Sequence, residues 1–279
     1  MILVTGVNGQ LGYDVVKELN KRNIECLGID KEELDITDSK ALNEYIIKLR
    51  PECVVHCAAY TAVDRAEDEE EICRKVNVDG TENIAKACKE IDAKMIYIST
   101  DYVFDGKGDE PFEVDGHIEP HSVYGKTKYE GELKVQEILE KYFIVRISWV
   151  FGINGNNFIK TMIRLGKEKE SLNVVCDQIG SPTYTADLAP LLCDMAISEK
   201  YGVYHATNEG FCSWAEFAQE IMNRAGVNCK INPILTSEYP AKAERPFNSR
   251  MSKRALIDSG FKLLPTWKEA LEAYLKELI

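Results

Sequence analysis

Tyr124 and Lys128 stand four residues apart, a spacing that puts both side chains on one face of a helix. A phenol beside an ammonium can move a proton, because the positive charge favours the phenolate and lowers the tyrosine pKa from its reference of about 10. Such a group works best when its pKa approaches working pH. Thr100 follows the strand-like run Lys94–Ser99 and is a third group able to hydrogen-bond a carbonyl oxygen. With 13 tyrosines in the chain a surface Tyr/Lys pair arises readily by chance, so the pair needs a second signal.

That signal is N-terminal. Gly6, Gly9 and Gly12 follow the strand-like Ile2–Thr5 and open a helix, the setting in which spaced glycines bind a dinucleotide. Gly6 permits a tight turn, Gly9 lets the backbone approach a pyrophosphate, and Gly12 lets helix and sheet pack closely. The helix then offers free N–H groups and the positive end of its dipole. Asp30 closes the second strand, eighteen residues after Gly12, where a carboxylate can accept both ribose hydroxyls and repel a 2′-phosphate. NADH is therefore expected over NADPH, with Arg22 and Lys31 near enough to weaken the preference.

These residues need elements to position them. Strands are predicted at 2–5, 24–29, 53–58, 94–99 and 143–149, and helices at 11–21, 40–49, 76–91 and 124–141, with Asp38 or Ser39 capping the second. The near-continuous apolar run Cys53–Ala58 suits a strand buried on both faces. Alternation of this kind gives an α/β fold, a Rossmann-type doubly wound parallel sheet. From about residue 150 short strands (173–176, 203–206, 230–234) mix with helices (158–165, 186–197, 214–225, 267–279). The expected division is a cofactor-binding domain over 1–150 and a smaller C-terminal substrate-binding lobe over 151–279, with segments returning to the main sheet.

Bulk properties narrow the class. The formal net charge of −12, from 34 basic and 46 acidic residues, argues against nucleic acid as partner. Nine cysteines without a C-x-x-C pair are expected to be reduced thiols rather than metal ligands or disulfides. There is no apolar stretch of about 18 residues to span a bilayer, and no leader-like start, so a cytoplasmic chain without a membrane partner is expected. His56 is expected to be a packed histidine, Trp214 and Trp267 core residues, and His117 and His121 exposed loop residues.

Longer strings carry a resemblance. The sequence contains Gly9-Gln10-Leu11-Gly12, Asp35-Ile36-Thr37-Asp38, Cys57-Ala58-Ala59-Tyr60-Thr61-Ala62-Val63-Asp64 and Ser99-Thr100-Asp101-Tyr102-Val103-Phe104-Asp105-Gly106. Asp177-Gln178-Ile179-Gly180-Ser181-Pro182-Thr183 and Arg245-Pro246-Phe247-Asn248-Ser249 follow. With the Tyr124/Lys128 pair these make the chain resemble the extended short-chain dehydrogenases/reductases, and more narrowly the dTDP-4-dehydrorhamnose reductase family. Asp101-Tyr102 after the Ser-Thr, where related dehydratases carry Asp-Glu, favours a reductase.

The resemblance implies NADH-dependent reduction, NADPH being possible, of a C4 keto group on a dTDP-linked 6-deoxyhexose. Tyr124 would be the proton donor, Lys128 its partner and Thr100 the third catalytic member. Gln10, Leu11, Asp35, Ile36, Ala58, Ala59 and Tyr60 would line the cofactor site with the glycines, Asp30, Tyr124 and Lys128. Asp101 and Trp149 would meet the sugar, and Asn157, Arg245 and Asn248 would hold or shape its pocket. A homodimer is possible; because Asp14 and Ala186 replace the glutamates with which some members bridge subunits through a metal, none is expected. Two other outcomes stay open: a non-catalytic NAD(P)-binding regulatory subunit, and an epimerase or dehydratase of the same superfamily.

Overall fold

Four-residue apolar strands with no solvent on either face build the centre of the molecule, whose computed structural model describes residues 1–279. The chain runs through β1 (Ile2–Thr5), α1 (Gln10–Lys21), β2 (Cys26–Ile29), α2 (Ser39–Leu49) and β3 (Cys53–His56). Two short helices, α3 (Val63–Ala66) and α4 (Glu70–Arg74), lead through a π-helical stretch at Lys75–Gly80 into α5 (Thr81–Glu90). β4 (Lys94–Thr100), α6 (Val123–Ile138) and β5 (Tyr142–Ile147) complete the first half.

The second half contains β6 (Val150–Phe151), α7 (Phe158–Glu168), β7 (Ser171–Val175), β8 (Ile179–Gly180), β9 (Thr183–Tyr184), α8 (Thr185–Ala196) and β10 (Gly202–His205). It ends with β11 (Cys212–Ser213), α9 (Trp214–Ala225), β12 (Lys230–Ile234), β13 (Asn248–Ser249), α10 (Arg254–Asp258) and α11 (Trp267–Leu278). β10 pairs in parallel with β5, so the main sheet has six strands in the order β10-β5-β4-β3-β1-β2. The fold is α/β and Rossmann-like.

Helices cover both faces because each lays an apolar stripe on the sheet. Leu11, Val15 and Leu19 of α1 pack with Leu188 and Leu192 of α8 on one face, and Leu42, Ile46, Ile84 and Val135 fill the other. A third core around Phe151, Phe217, Trp267 and Tyr274 holds the C-terminal elements together. Asp38 caps α2 by accepting from the Ala41 amide at 3.0 Å, and Ser122 caps α6 through Gly125. No helix is long and apolar enough to cross a membrane.

Two of the differences from the sequence expectation have a local reason. The helix expected at 76–91 carries the π-helical turn, which turns Asn77 towards the loop after β3: its Oδ1 accepts from the Tyr60 amide at 2.8 Å and its Nδ2 donates to Thr127 Oγ1 at 3.1 Å. The strand expected over 143–149 stops at Ile147, because Trp149 adopts a left-handed backbone, φ +49°.

Candidate active site

A cavity of about 1010 Å³ opens across the C-terminal ends of β1 to β5, the place where ligands collect in such sheets. Its two ends differ in chemistry.

The end under α1 is made by backbone. Gly6 has φ +71°, and a Cβ there would stand 2.7 Å from the Ala58 amide nitrogen. A Cβ on Gly12 would lie 2.3 Å from the Gly6 carbonyl oxygen, so glycine alone lets α1 settle on the turn. No side chain caps α1, since its cap is Gly9, and its first amides face the cavity. A glycine cradle under an uncapped helix end fits a pyrophosphate. Gly6, Gly9, Gln10, Leu11, Gly12, Asp30, Asp35, Ile36, Ala58, Ala59 and Tyr60 all line this cavity.

Asp30 sits at the expected place with both oxygens engaged, accepting from the Asn8 amide at 2.9 Å and the Lys31 amide at 2.7 Å. Asp35 accepts from the Thr37 amide and hydroxyl, which hold its carboxyl below the usual range. Arg22, expected near the ribose, lies elsewhere: it pairs with Glu18 and Asp194. Lys31 and Lys75 are the cations that line this end.

The other end is made by buried side chains. Thr100, Asp101, Tyr124, Lys128 and Trp149 line it together. Asp101 is 2 % exposed and accepts from Thr100 Oγ1 at 2.9 Å and from Ser249 Oγ; burial still pushes its pKa up to about 6. Burial also raises the Tyr124 pKa, against which the neighbouring Thr100 hydroxyl works. Burial presses the Lys128 ammonium down to about 7.

The expected lowering of the tyrosine pKa by lysine is not the dominant effect in this structure. Lys128 Nζ stands 4.0 Å over the Tyr97 ring, so its charge is spent on that π face rather than on the phenol, and desolvation prevails at Tyr124. Trp149 stacks on Trp214 with ring centroids 3.7 Å apart, and Gly180 leaves room beneath the indole. Trp214 is thus half-buried beside the cavity rather than wholly in the core. A left-handed non-glycine residue costs roughly 1–3 kcal/mol and is found where a side chain must be aimed.

Three residues expected at the substrate lie outside the cavity lining. Asn157 caps α7, accepting from the Lys160 amide, and its Nδ2 donates to Gln10 Oε1, the Gly152 carbonyl and Tyr274 Oη. Asn248 pins the loop before α6, donating to the Lys107 and Glu110 carbonyls. Arg245 lines a smaller neighbouring hollow of about 110 Å³, pairs with Asp64 at 2.6 Å and donates to Tyr102 Oη at 3.3 Å. Tyr102 lines both spaces and meets Tyr124 edge-on, so Arg245 is one residue removed from the reaction end.

Other residues had a faint signal or none. Glu132 continues the Tyr124/Lys128 spacing by four more residues, and Arg146 interrupts the apolar strand β5; both are buried and paired. Asn77 had only its place in a helix to recommend it. His56 is the packed histidine expected, bonded to Thr5 and Thr81. No three His, Cys, Asp or Glu side chains are grouped to hold a metal ion; Asp14 is buried under the Thr185 hydroxyl.

The chain is similar along its whole length to known proteins. The family model described as RmlD substrate binding domain matches residues 1–279. A dTDP-4-dehydrorhamnose reductase structure from Clostridium acetobutylicum is 42 % identical and superimposes with TM-score 0.97, covering 99 % of both chains. The Bacillus anthracis dTDP-4-dehydrorhamnose reductase, solved in complex with NADP, is 44 % identical with TM-score 0.96 over 99 % of this chain and 98 % of that one. The spore coat polysaccharide biosynthesis protein SpsK of Bacillus subtilis is 40 % identical over 99 % of this chain and 97 % of its own.

Proposed function

Because the chain belongs to the RmlD substrate binding domain family, we propose that it is an NAD(P)H-dependent oxidoreductase reducing dTDP-4-dehydro-L-rhamnose to dTDP-L-rhamnose. The observation that carries the reading is the convergence of Thr100, Tyr124 and Lys128, all buried or half-buried, at one end of a cavity whose other end is a glycine cradle. Gly6, Gly9, Gly12 and Asp30 would hold a dinucleotide whose nicotinamide would supply a hydride for the C4 carbonyl carbon. Tyr124 Oη gives its proton to the resulting C4 oxygen. A phenol raised by burial keeps that proton at neutral pH, yet an alkoxide is more basic still, so the transfer runs downhill. Lys128, poised near 7, returns a proton to the phenolate.

Thr100 and Asp101 orient the sugar. The Thr100 hydroxyl donates to Asp101 in the resting chain and turns to the substrate oxygen when the sugar arrives. Trp149, fixed by its stack on Trp214, offers a flat apolar wall to the deoxyhexose. Arg245, beside Lys107 at the adjoining hollow, offers its guanidinium to the nucleotide diphosphate by bidentate contact. Asn157 and Asn248 act on this pocket only through the loops they hold. Residues 1–150 bind the cofactor and 151–279 mainly cover the substrate, with segments such as β10 returning to the main sheet.

Asp30 favours NADH by repelling a 2′-phosphate, while Lys31 and Lys75 keep NADPH admissible. The partner is a nucleotide sugar, not nucleic acid, in keeping with a net charge of −12 and a cytoplasmic setting; a homodimer rests on the resemblance alone. The test is oxidation of NADH and NADPH against a panel of nucleotide-linked 4-keto sugars. Turnover should be fastest with the dTDP-linked rhamnose precursor. Failure to oxidise either cofactor with any 4-keto sugar would overturn the reading.

A further inference from the structure

We propose that Glu132, clamped by Arg146, is a positioning residue that holds Lys128 in its cationic form. The inference rests on Lys128 belonging to the reaction centre described above. Tyr124, Lys128 and Glu132 recur every four residues along the inner face of α6, and Lys128 and Glu132 are 2 % and 1 % exposed. An ammonium taken out of water at that depth needs a countercharge or it loses its proton. Lys128 Nζ donates to no acceptor in the chain; its contact is the Tyr97 ring.

The titratable groups around Lys128 come from four directions, and the histidine, thiols and phenols among them are neutral at pH 7. His56 at the end of β3 is driven down to about 3 by burial and by Lys128 itself. Burial pushes the neighbouring Cys57 up to about 12 and raises Cys73 of α4. Tyr97 of β4 and Tyr124 on the same helix keep their phenolic protons for the same reason. Asp101 acts on Tyr124 rather than on Lys128. Glu132 is left as the carboxylate that favours the charged lysine.

Glu132 cannot swing away. Arg146 of β5 grips it with two parallel hydrogen bonds, Nε to Oε1 at 2.9 Å and Nη2 to Oε2 at 2.7 Å, and Ser99 Oγ donates to Oε1 at 2.5 Å. Arg146 is itself fixed by the Val114 carbonyl, by the Phe104 ring and by neutral His205, whose Nδ1–H donates to the Ser252 carbonyl. The bidentate, charge-assisted contact fixes both carboxylate oxygens in place. A buried ion pair is in general a weak device for stability, and an apolar pair would pack α6 on the sheet as well. Its place one helical turn from Lys128 is what an apolar pair could not supply.

The experiment titrates Lys128 directly, in the cofactor-free protein carrying ¹³Cε-lysine, and in parallel follows the pH profile of kcat. Glu132→Gln should move the Lys128 midpoint from about 7 downward by about one pH unit or more. The double variant Glu132→Gln/Arg146→Gln, which leaves no orphaned buried charge, should show a fall of similar size. Glu132→Asp, keeping the charge but withdrawing it by a methylene, should show a smaller one and decides the matter should the others fail to fold. The alkaline loss of kcat should move to lower pH with the midpoint. An unmoved midpoint in any of these folded variants overturns the proposal. A midpoint that falls while the kcat profile stays supports the Glu132–Lys128 coupling and overturns the role of Lys128 in turnover.

Discussion

At the α1 end of the cavity the protein binds with its backbone; at the α6 end it works with buried charge. The first end needs glycines at 6 and 12 and amides at the start of one helix, all within the first dozen residues. The second draws Thr100 from β4 and Asp101 from the turn after it, Tyr124, Lys128 and Glu132 from α6, Arg146 from β5, and Ser249 from β13. A backbone site tolerates little steric change but is indifferent to pH. A charge site is the reverse: its shape survives conservative substitution, and its chemistry follows protonation. The two ends should therefore fail separately.

The largest effect belongs to the α6 end. Tyr124→Phe removes one hydroxyl and keeps the ring, including its edge contact with Tyr102. General acid catalysis contributes about 10²–10⁴-fold, so kcat should fall by that factor, equivalent to about 3–5 kcal/mol of barrier. NADH affinity, measured by fluorescence titration, should stay as in the wild type. Unchanged turnover would remove Tyr124 from the reaction and leave a dinucleotide site without an acid.

Asp101 offers a stability measurement at the same end. Its folded pKa of about 6 lies above the unfolded 3.8, so the fold tolerates the protonated acid and is strained by the carboxylate. The folded chain binds the extra proton between these values, and stability drops as pH rises through about 6. The loss amounts to on the order of 3 kcal/mol. Asp101→Asn should raise the Tm at pH 8, lose that advantage at pH 4, and still slow turnover, because Thr100 loses its anionic acceptor. Equal Tm gains at both pH values would show that packing rather than ionisation sets the cost.

Gly12→Ala tests the opposite end. The added Cβ meets only backbone, at 2.3 Å from the Gly6 oxygen, so α1 must lift from the turn. Overpacking of this kind costs about 1–3 kcal/mol, visible by thermal unfolding, and NADH binding should weaken while the pH dependence of kcat keeps its shape. A shifted pH profile would show that the two ends are coupled.

The same contrast explains what the sequence could reveal. The glycines, Asp30 and the Tyr124/Lys128 pair announce themselves because their spacing is local, and strand–helix alternation announces the parallel sheet. Glu132 and Arg146 are fourteen positions apart on different elements, and only the folded chain shows that they are one ion pair. Burial itself is the second gap. A tyrosine four residues from a lysine suggests an acidified phenol, yet desolvation at that depth outweighs the charge and sends the lysine onto Tyr97 instead. Asn157, Arg245 and Asn248 illustrate a third: a motif places a residue near a pocket without saying whether its side chain turns inward or holds the loop.

Asn157 allows that last distinction to be measured, with the smallest expected effect. Its Oδ1 caps α7 and its Nδ2 ties Gln10, the Gly152 carbonyl and Tyr274 of α11 to one point. Asn157→Ser keeps a cap acceptor and loses the tie; Asn157→Ala loses both. A lost cap costs about 1 kcal/mol, so the Ala variant should be less stable than the Ser variant by about that amount. Because Gln10 lines the cofactor end, both variants should weaken NADH binding slightly and leave the KM for the nucleotide sugar unchanged. A raised KM for the sugar at full stability would mean that Asn157 faces the substrate after all, and that the boundary between the two ends lies further along α7 than its hydrogen bonds indicate.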